Sequence, residues 1–256
     1  MTKAEDEKSR FVEALDKAAN EGCAISFFWR DDDATEPTDE LDRLLALFAE
    51  EELPLGLAVI PEPASPELAE RLKHLPGVAV LQHGLAHRDH SHEGEKKSEF
   101  PASRDLRRCL TDIELGRERL HALFSSPLPV FVPPWNNIAD AVAEALPSLG
   151  IFGLSRLGRS RGLAGERNAH LDVIEWRTTR AFIGREVAWR CLADEAQKRL
   201  AGEEGPIGIL THHLAHDDGC WDFSAELVEL LCDHRGAAMP PVADIFGLAT
   251  SGGGGD

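Results

Sequence analysis

The chain has 256 residues, with 27 basic against 45 acidic side chains and a net charge of −18. That length suits a single α/β domain, and 43% hydrophobic residues supply a packed core, which excludes a disordered chain. So acidic a surface argues against binding a nucleic-acid backbone or an anionic membrane, and no run approaches the ~20 apolar residues of a membrane span.

Residues 1–22 read as a charged amphipathic helix with neither an apolar stretch nor a small-residue cleavage site, so no signal peptide is expected. Five cysteines, an odd number without a CxxC pair, fit a reducing compartment and act as small hydrophobes. Together these features point to a cytoplasmic protein.

Apolar, β-branched runs then alternate with helical patterns. Strands are expected over Cys23–Trp29, Leu55–Ile60, Val78–Gln82, Pro129–Val132, Gly150–Leu154, Leu171–Trp176 and Ile207–Thr211. Helices are expected over Asp39–Glu51, Pro66–His74, Arg104–Phe124, Ile138–Leu146, Arg185–Gly202 and Phe223–Arg235. Ser65-Pro66-Glu67 combines a cap, a first-turn proline and an early acid. The alternation implies a mainly parallel sheet covered by helices, as an incomplete barrel or an open doubly wound sheet. A single domain over residues 1–250 is expected, with a polar, locally basic surface loop at 156–168 and a flexible Gly-rich tail at 251–256.

In parallel α/β folds the active site lies at the carboxyl ends of the strands. The first strand runs into Arg30-Asp31-Asp32-Asp33, and adjacent carboxylates repel unless a cation or hydrogen bonds hold them. The third runs into His83-Gly84-Leu85-Ala86-His87, the last into His212-His213-Leu214-Ala215-His216. Spaced i, i+4, His83 and His87 share a face if the segment is helical. Two such imidazoles plus one carboxylate make a facial metal triad with open positions. Zinc is the default ion, with cobalt, manganese or nickel as alternatives. Pro133-Pro134-Trp135-Asn136 ends the fourth strand and aims Trp135 outward as an apolar wall for a flat ligand. Cys220 reads as a small residue before the last helix, and Trp176, Trp189 and Trp221 as core.

Four segments in this order, FWRDDD, HGLAH, FVPPWN and GILTHH, resemble the motifs of the polysaccharide deacetylase (NodB-homology, carbohydrate esterase) family and span residues 27–213. The resemblance implies a distorted seven-stranded β/α barrel with a divalent metal held by one Asp and two His. By motif position Asp31 is the general base, Asp32 the metal carboxylate, His83 and His87 the metal imidazoles and His212 the general acid. Trp135, Pro134, Asn136 and His213 would then line the substrate site. Asp33 stands where the family has glycine and competes for the ligand or base role, and His213 competes with His212 for that of the acid. Gly84 stands where the family has Ser or Thr, and Val132 where it has the arginine that orients the base. The implied reaction is hydrolysis of an N-acyl amide, usually of an amino sugar, on a small-molecule or oligosaccharide substrate. The alternatives are an allantoinase-like, metal-independent opening of a cyclic amide and a catalytically inactive saccharide-binding domain. A homo-oligomer is left open.

Overall fold

The computed structural model describes residues 2–248, so the tail at 251–256 and the expected domain end at 250 lie outside the described residues. The strands are β1 (Ile25–Ala34), β2 (Leu55–Val59), β3 (Val78–His83), β4 (Val130–Val132), β5 (Gly153–Leu154), β6 (Ala169–Asp172), β7 (Ile174–Glu175), β8 (Ala181–Phe182), β9 (Ile207–Thr211) and β10 (Ala237–Ala238). The helices are α1 (Lys3–Asn20), α2 (Asp39–Glu50), α3 (Pro66–Leu72), α4 (Leu106–Leu123), α5 (Asp140–Ala145), α6 (Arg185–Leu200), α7 (Asp218–Asp233) and α8 (Val242–Ile245). Local chemistry sets many of their starts. The Thr38, Ser65 and Asp105 side chains accept the main-chain N–H three residues on, as N-caps do. Asp217 does the same for Cys220, which starts α7 five residues earlier than the apolar pattern predicts.

Seven strands form one parallel sheet in the order β5-β4-β3-β2-β1-β9-β6, with β10 paired to the start of β1. The sheet curls into a distorted, incomplete barrel. Its edge strands β5 and β6 are joined through single bridges, Leu154 to Glu166 and Leu157 to Ala169, so the loop between them serves as the seam. The run expected as one strand over Leu171–Trp176 is interrupted. Asp172 Oδ1 accepts the N–H of Ile174, a local turn that competes with the ladder, and the chain leaves the sheet for the β7–β8 hairpin.

Side chains on β1 alternate between two layers. Phe27 and Trp29 face outward into the core under the helices, with Phe11, Phe48, Trp189 and Phe223. Phe28 faces inward with Ala58, Leu81, Val130 and Val132, and α8 plugs this end of the barrel with Val242, Ile245 and Phe246. Each such large side chain contributes roughly 1.5–3 kcal/mol on burial. Continuing the alternation toward the carboxyl end sends Arg30 and Asp32 inward and Asp31 outward.

Candidate active site

Arg30 and Asp32 are both buried, at 0% and 1% exposure. Arg30 spends all five of its N–H donors. Nε and Nη2 grip the two oxygens of Asp32 at 2.8 and 3.0 Å, and Nη2 also reaches Asn136 Oδ1 at 2.7 Å. Nη1 donates to Ser155 Oγ at 2.7 Å and to the Arg156 carbonyl at 3.3 Å. A two-pronged guanidinium–carboxylate pair fixes orientation as well as charge. On the opposite face Asp31 accepts from the Thr211 hydroxyl at 2.7 Å, the His213 N–H at 3.0 Å and His213 Nδ1. Burial works against the Asp31 charge, but His213 and these hydrogen bonds outweigh it and hold the carboxyl below the usual range.

The alternation breaks at Asp33. Its φ of 76° lies in the left-handed region, and the pairing with β2 loses register between Asp31 and Ala34. Its carboxylate therefore swings to β3, with Oδ1 3.0 Å from His83 Nε2 and 3.4 Å from His87 Nε2. One donor atom from each of Asp33, His83 and His87 lies within 4.8 Å of the others. Burial opposes the Asp33 charge, but the hydrogen bond and charge of His83 prevail and lower its pKa.

The chemistry of this donor set fits a divalent cation. His83 Nδ1 lies 2.9 Å from the Val132 carbonyl, which only accepts, so Nδ1 carries the proton. Nε2 then faces the Asp33 oxygen with a lone pair, and two lone pairs at that range repel unless a proton or a cation lies between them. A carbonyl that fixes the tautomer is the usual support of a metal-bound imidazole.

His83 and His87 are brought together by a loop rather than a helix. Gly84 (φ 62°) and His87 (φ 52°) are both left-handed, and the two rings end 5.2 Å apart. Glu99, 1% exposed, holds this loop by accepting the N–H of Leu85 at 3.1 Å and of Ala86 at 2.8 Å. A Cβ at Gly84 would lie 2.0 Å from Glu99 Oε2 and 2.7 Å from Pro134 Cγ, so glycine is required there.

His212 directly follows β9, on the other side of β1 from β3, and packs edge-on against Trp176, with ring centroids 4.7 Å apart. Trp176 Nε1 donates to Asp172 Oδ2 at 2.8 Å. Burial raises the Asp172 pKa, and the nearby His212 opposes that rise. Trp135, itself at φ 55°, lies 4.3 Å from the His87 ring, with Lys97 Nζ 5.8 Å from its indole. Two tryptophans thus flank the cluster. A groove of about 940 Å³ between α3, the end of α4 and Met239–Ala243 lies elsewhere and contains none of these histidines.

With that geometry established, the neighbours among solved structures are informative. A protein assigned as a polysaccharide deacetylase from Mycobacterium smegmatis superposes with a TM-score of 0.63 at 13% identity, covering 86% of this chain and 88% of the other. The chain has the polysaccharide deacetylase fold. A peptidoglycan N-acetylglucosamine deacetylase matches with a TM-score of 0.59 at 14% identity over 88% and 90% of the two chains. A family 4 acetyl xylan esterase from Clostridium thermocellum, in complex with a cobalt ion, matches at 0.54 and 13% over 86% and 90%. No protein-family model and no curated protein sequence matches the chain.

On this deacetylase fold several motif-based expectations shift. The carboxylate beside His83 and His87 is Asp33, not Asp32, because the left-handed turn at Asp33 carries it out of register. Asp31 lies in the outer layer under His213, away from the cluster, and Asp32 is the carboxylate held by an arginine. His213 is buried on Asp31, and Pro134 is buried under Gly84, so neither lines the cleft. Asn136 orients Arg30, while His83, His87 and Trp135 lie together and His212 is near enough for its charge to act on Asp33. Trp176 is 40% exposed rather than core. Cys220 is buried near the start of α7, and burial pushes its thiol up to about 12. Glu99 and Asp172 carried no motif signal; the i, i+4 spacing of Asp172 and Trp176 just past a strand is the one clue to that pair.

Proposed function

We propose that the protein is a divalent-metal-dependent hydrolase that removes an acyl group, acetyl foremost, from an N-acylated amine of the amino-sugar class. The observation that carries this reading is the Asp33–His83–His87 cluster, flanked by the arginine-held Asp32 and by His212. The resemblance in fold to deacetylases and to an acetyl esterase holding cobalt agrees with it.

Asp33, His83 and His87 would hold the cation, which when bound supplies an acidified water and polarises the acyl carbonyl. Asp32, oriented by Arg30, is the general base and takes the proton of the attacking water. His212, on the other side and against Trp176, gives a proton to the departing nitrogen, which is a poor leaving group unless protonated. Trp135 and Trp176 supply apolar walls that suit a sugar face. Arg30 thereby takes over the orienting charge for which the resemblance has an arginine at the position of Val132.

The test is metal content by elemental mass spectrometry on protein purified without chelator, followed by an amine-release assay on N-acetylated sugars. About one zinc, cobalt, manganese or nickel per chain, with activity lost on chelation and restored by metal, supports the reading. A protein that takes up no metal refutes it; if such a protein still hydrolyses cyclic amides, the metal-independent alternative replaces it.

A further inference from the structure

Charge is unevenly spread along the stretch of chain that brings Ser155 to Arg30 and Trp176 to His212. Between Ser155 and Arg185 the chain carries seven arginines, no lysine and three carboxylates, a local excess of positive charge in a chain 18 negative overall. The three carboxylates are occupied within the segment. Glu166 binds Arg156 together with Ser160, Asn168 and main-chain N–H groups. Glu175 accepts the N–H groups of Arg177, Thr178 and Thr179, and Asp172 is taken by Ile174 and Trp176. Arg161 and Arg185 pair with Asp140 and Glu226. Among the described residues, Arg159, Arg167, Arg177 and Arg180 have no carboxylate partner, and all but Arg167 are exposed.

These four residues come from two segments, the loop before β6 and the hairpin after it. Arg159 and Arg167 belong to the loop that seams β5 to β6, which Arg30 ties to the site through Ser155 and the Arg156 carbonyl. Arg177 and Arg180 sit on the hairpin turn directly after Trp176, whose ring is 4.7 Å from His212. That hairpin is docked on the loop after β9 through Phe182 N–H and Asp217 Oδ2 at 2.9 Å. Arg177 thus directly follows the tryptophan that packs on His212, and Arg180 closes the same turn through its N–H to the Glu175 carbonyl at 2.8 Å. Unpaired arginines repel one another and gain most from a ligand with two or three oxygens in a plane or a tripod.

Resting on the functional reading above, we propose that the amine half of the substrate carries an oxyanion, a phosphoryl or carboxylate group, which Arg177 and Arg180 bind at the His212 side of the mouth. Arg159 and Arg167 extend the same cationic rim and draw the anion in from solution.

Equilibrium binding tests this independently of turnover. Metal-free protein is titrated by calorimetry with N-acetylglucosamine, N-acetylglucosamine 1-phosphate and N-acetylmuramic acid, at low and high salt. One or both charged sugars should bind about tenfold or more tightly than the neutral one, the factor for one charge-assisted hydrogen bond. That advantage should shrink with salt. It should vanish in the Arg177→Gln/Arg180→Gln double variant and survive Arg190→Gln, an exposed arginine on α6. Preference for the first charged sugar assigns the rim to phosphate, for the second to carboxylate. Equal affinity for all three sugars, undetectable binding included, or a preference indifferent to the double variant overturns the proposal. A preference that holds while the metal-loaded enzyme releases no amine leaves the rim standing and refutes the hydrolase reading instead.

Discussion

Both oxygens of Glu99 are spent on the amides of Leu85 and Ala86, the two residues that lead into His87. A carboxylate can accept both bonds; a carboxamide must turn an NH₂ toward one of the two N–H groups. Glu99→Gln should therefore loosen the turn that presents His87 and weaken metal binding about 10- to 100-fold, as loss of a supporting group around a ligand does. Competition against a chelator of known affinity measures this, and wild-type affinity in the variant would count against the role. The neighbouring carboxylates should separate by function. Asp33→Ala should lose the metal, whereas Asp32→Asn should keep it and lose roughly 10²–10⁴ in kcat, the usual contribution of a general base. Metal loss in the second variant rather than the first would reverse the two roles.

At the scale of the element, β1 decides which of three adjacent carboxylates does what. Strict alternation gives Arg30 to Asp32 and puts Asp31 in the outer layer with Thr211 and His213. That much was legible in the sequence, since a period of two implies that Arg30 points away from Asp31. The left-handed turn at Asp33 was not legible, because aspartate tolerates that conformation without demanding it, and by alternation alone Asp33 would have joined Asp31. The two histidine rings lie 5.2 Å apart, although two left-handed residues and not a helix bring them together. The strand order of chemistry along the chain was legible because each cluster follows an apolar run. Glu99 and Trp176 were not, because they reach the site from a loop and a hairpin with no periodicity to mark them. The Arg30 network carries its own prediction. Arg30→Met leaves a buried Asp32 carboxylate without its partner, and should cost about 3–5 kcal/mol in chemical denaturation besides activity.

For the molecule as a whole, the histidines set how stability responds to acid. His216 packs edge-on against Trp221 with ring centroids 4.5 Å apart, and neither of its buried ring nitrogens has a hydrogen-bond partner. Burial pushes its pKa down to about 4, with the charges of His213 and His212 adding to the effect and those of Asp31 and Asp217 opposing it. Burial likewise lowers His87, His90 and His170. An ordinary histidine titrates near 6.5. Between that value and about 4 the unfolded chain therefore binds protons that the folded His216 refuses, and folding weakens as the pH falls through this window. Below it both states are protonated and the effect is complete. The raised His213, paired with Asp31, has the opposite sign: its contribution is full below 6.5 and is lost as the pH rises through its folded value. His216 alone can cost up to about 3 kcal/mol on the acid side. His216→Phe keeps a ring against Trp221 and removes the titrating nitrogens, so urea unfolding from pH 7 to pH 4 should show a shallower loss of stability in the variant than in the wild type. Parallel curves would mean that His216 is solvated in the folded state and that the acid sensitivity lies with the remaining histidines.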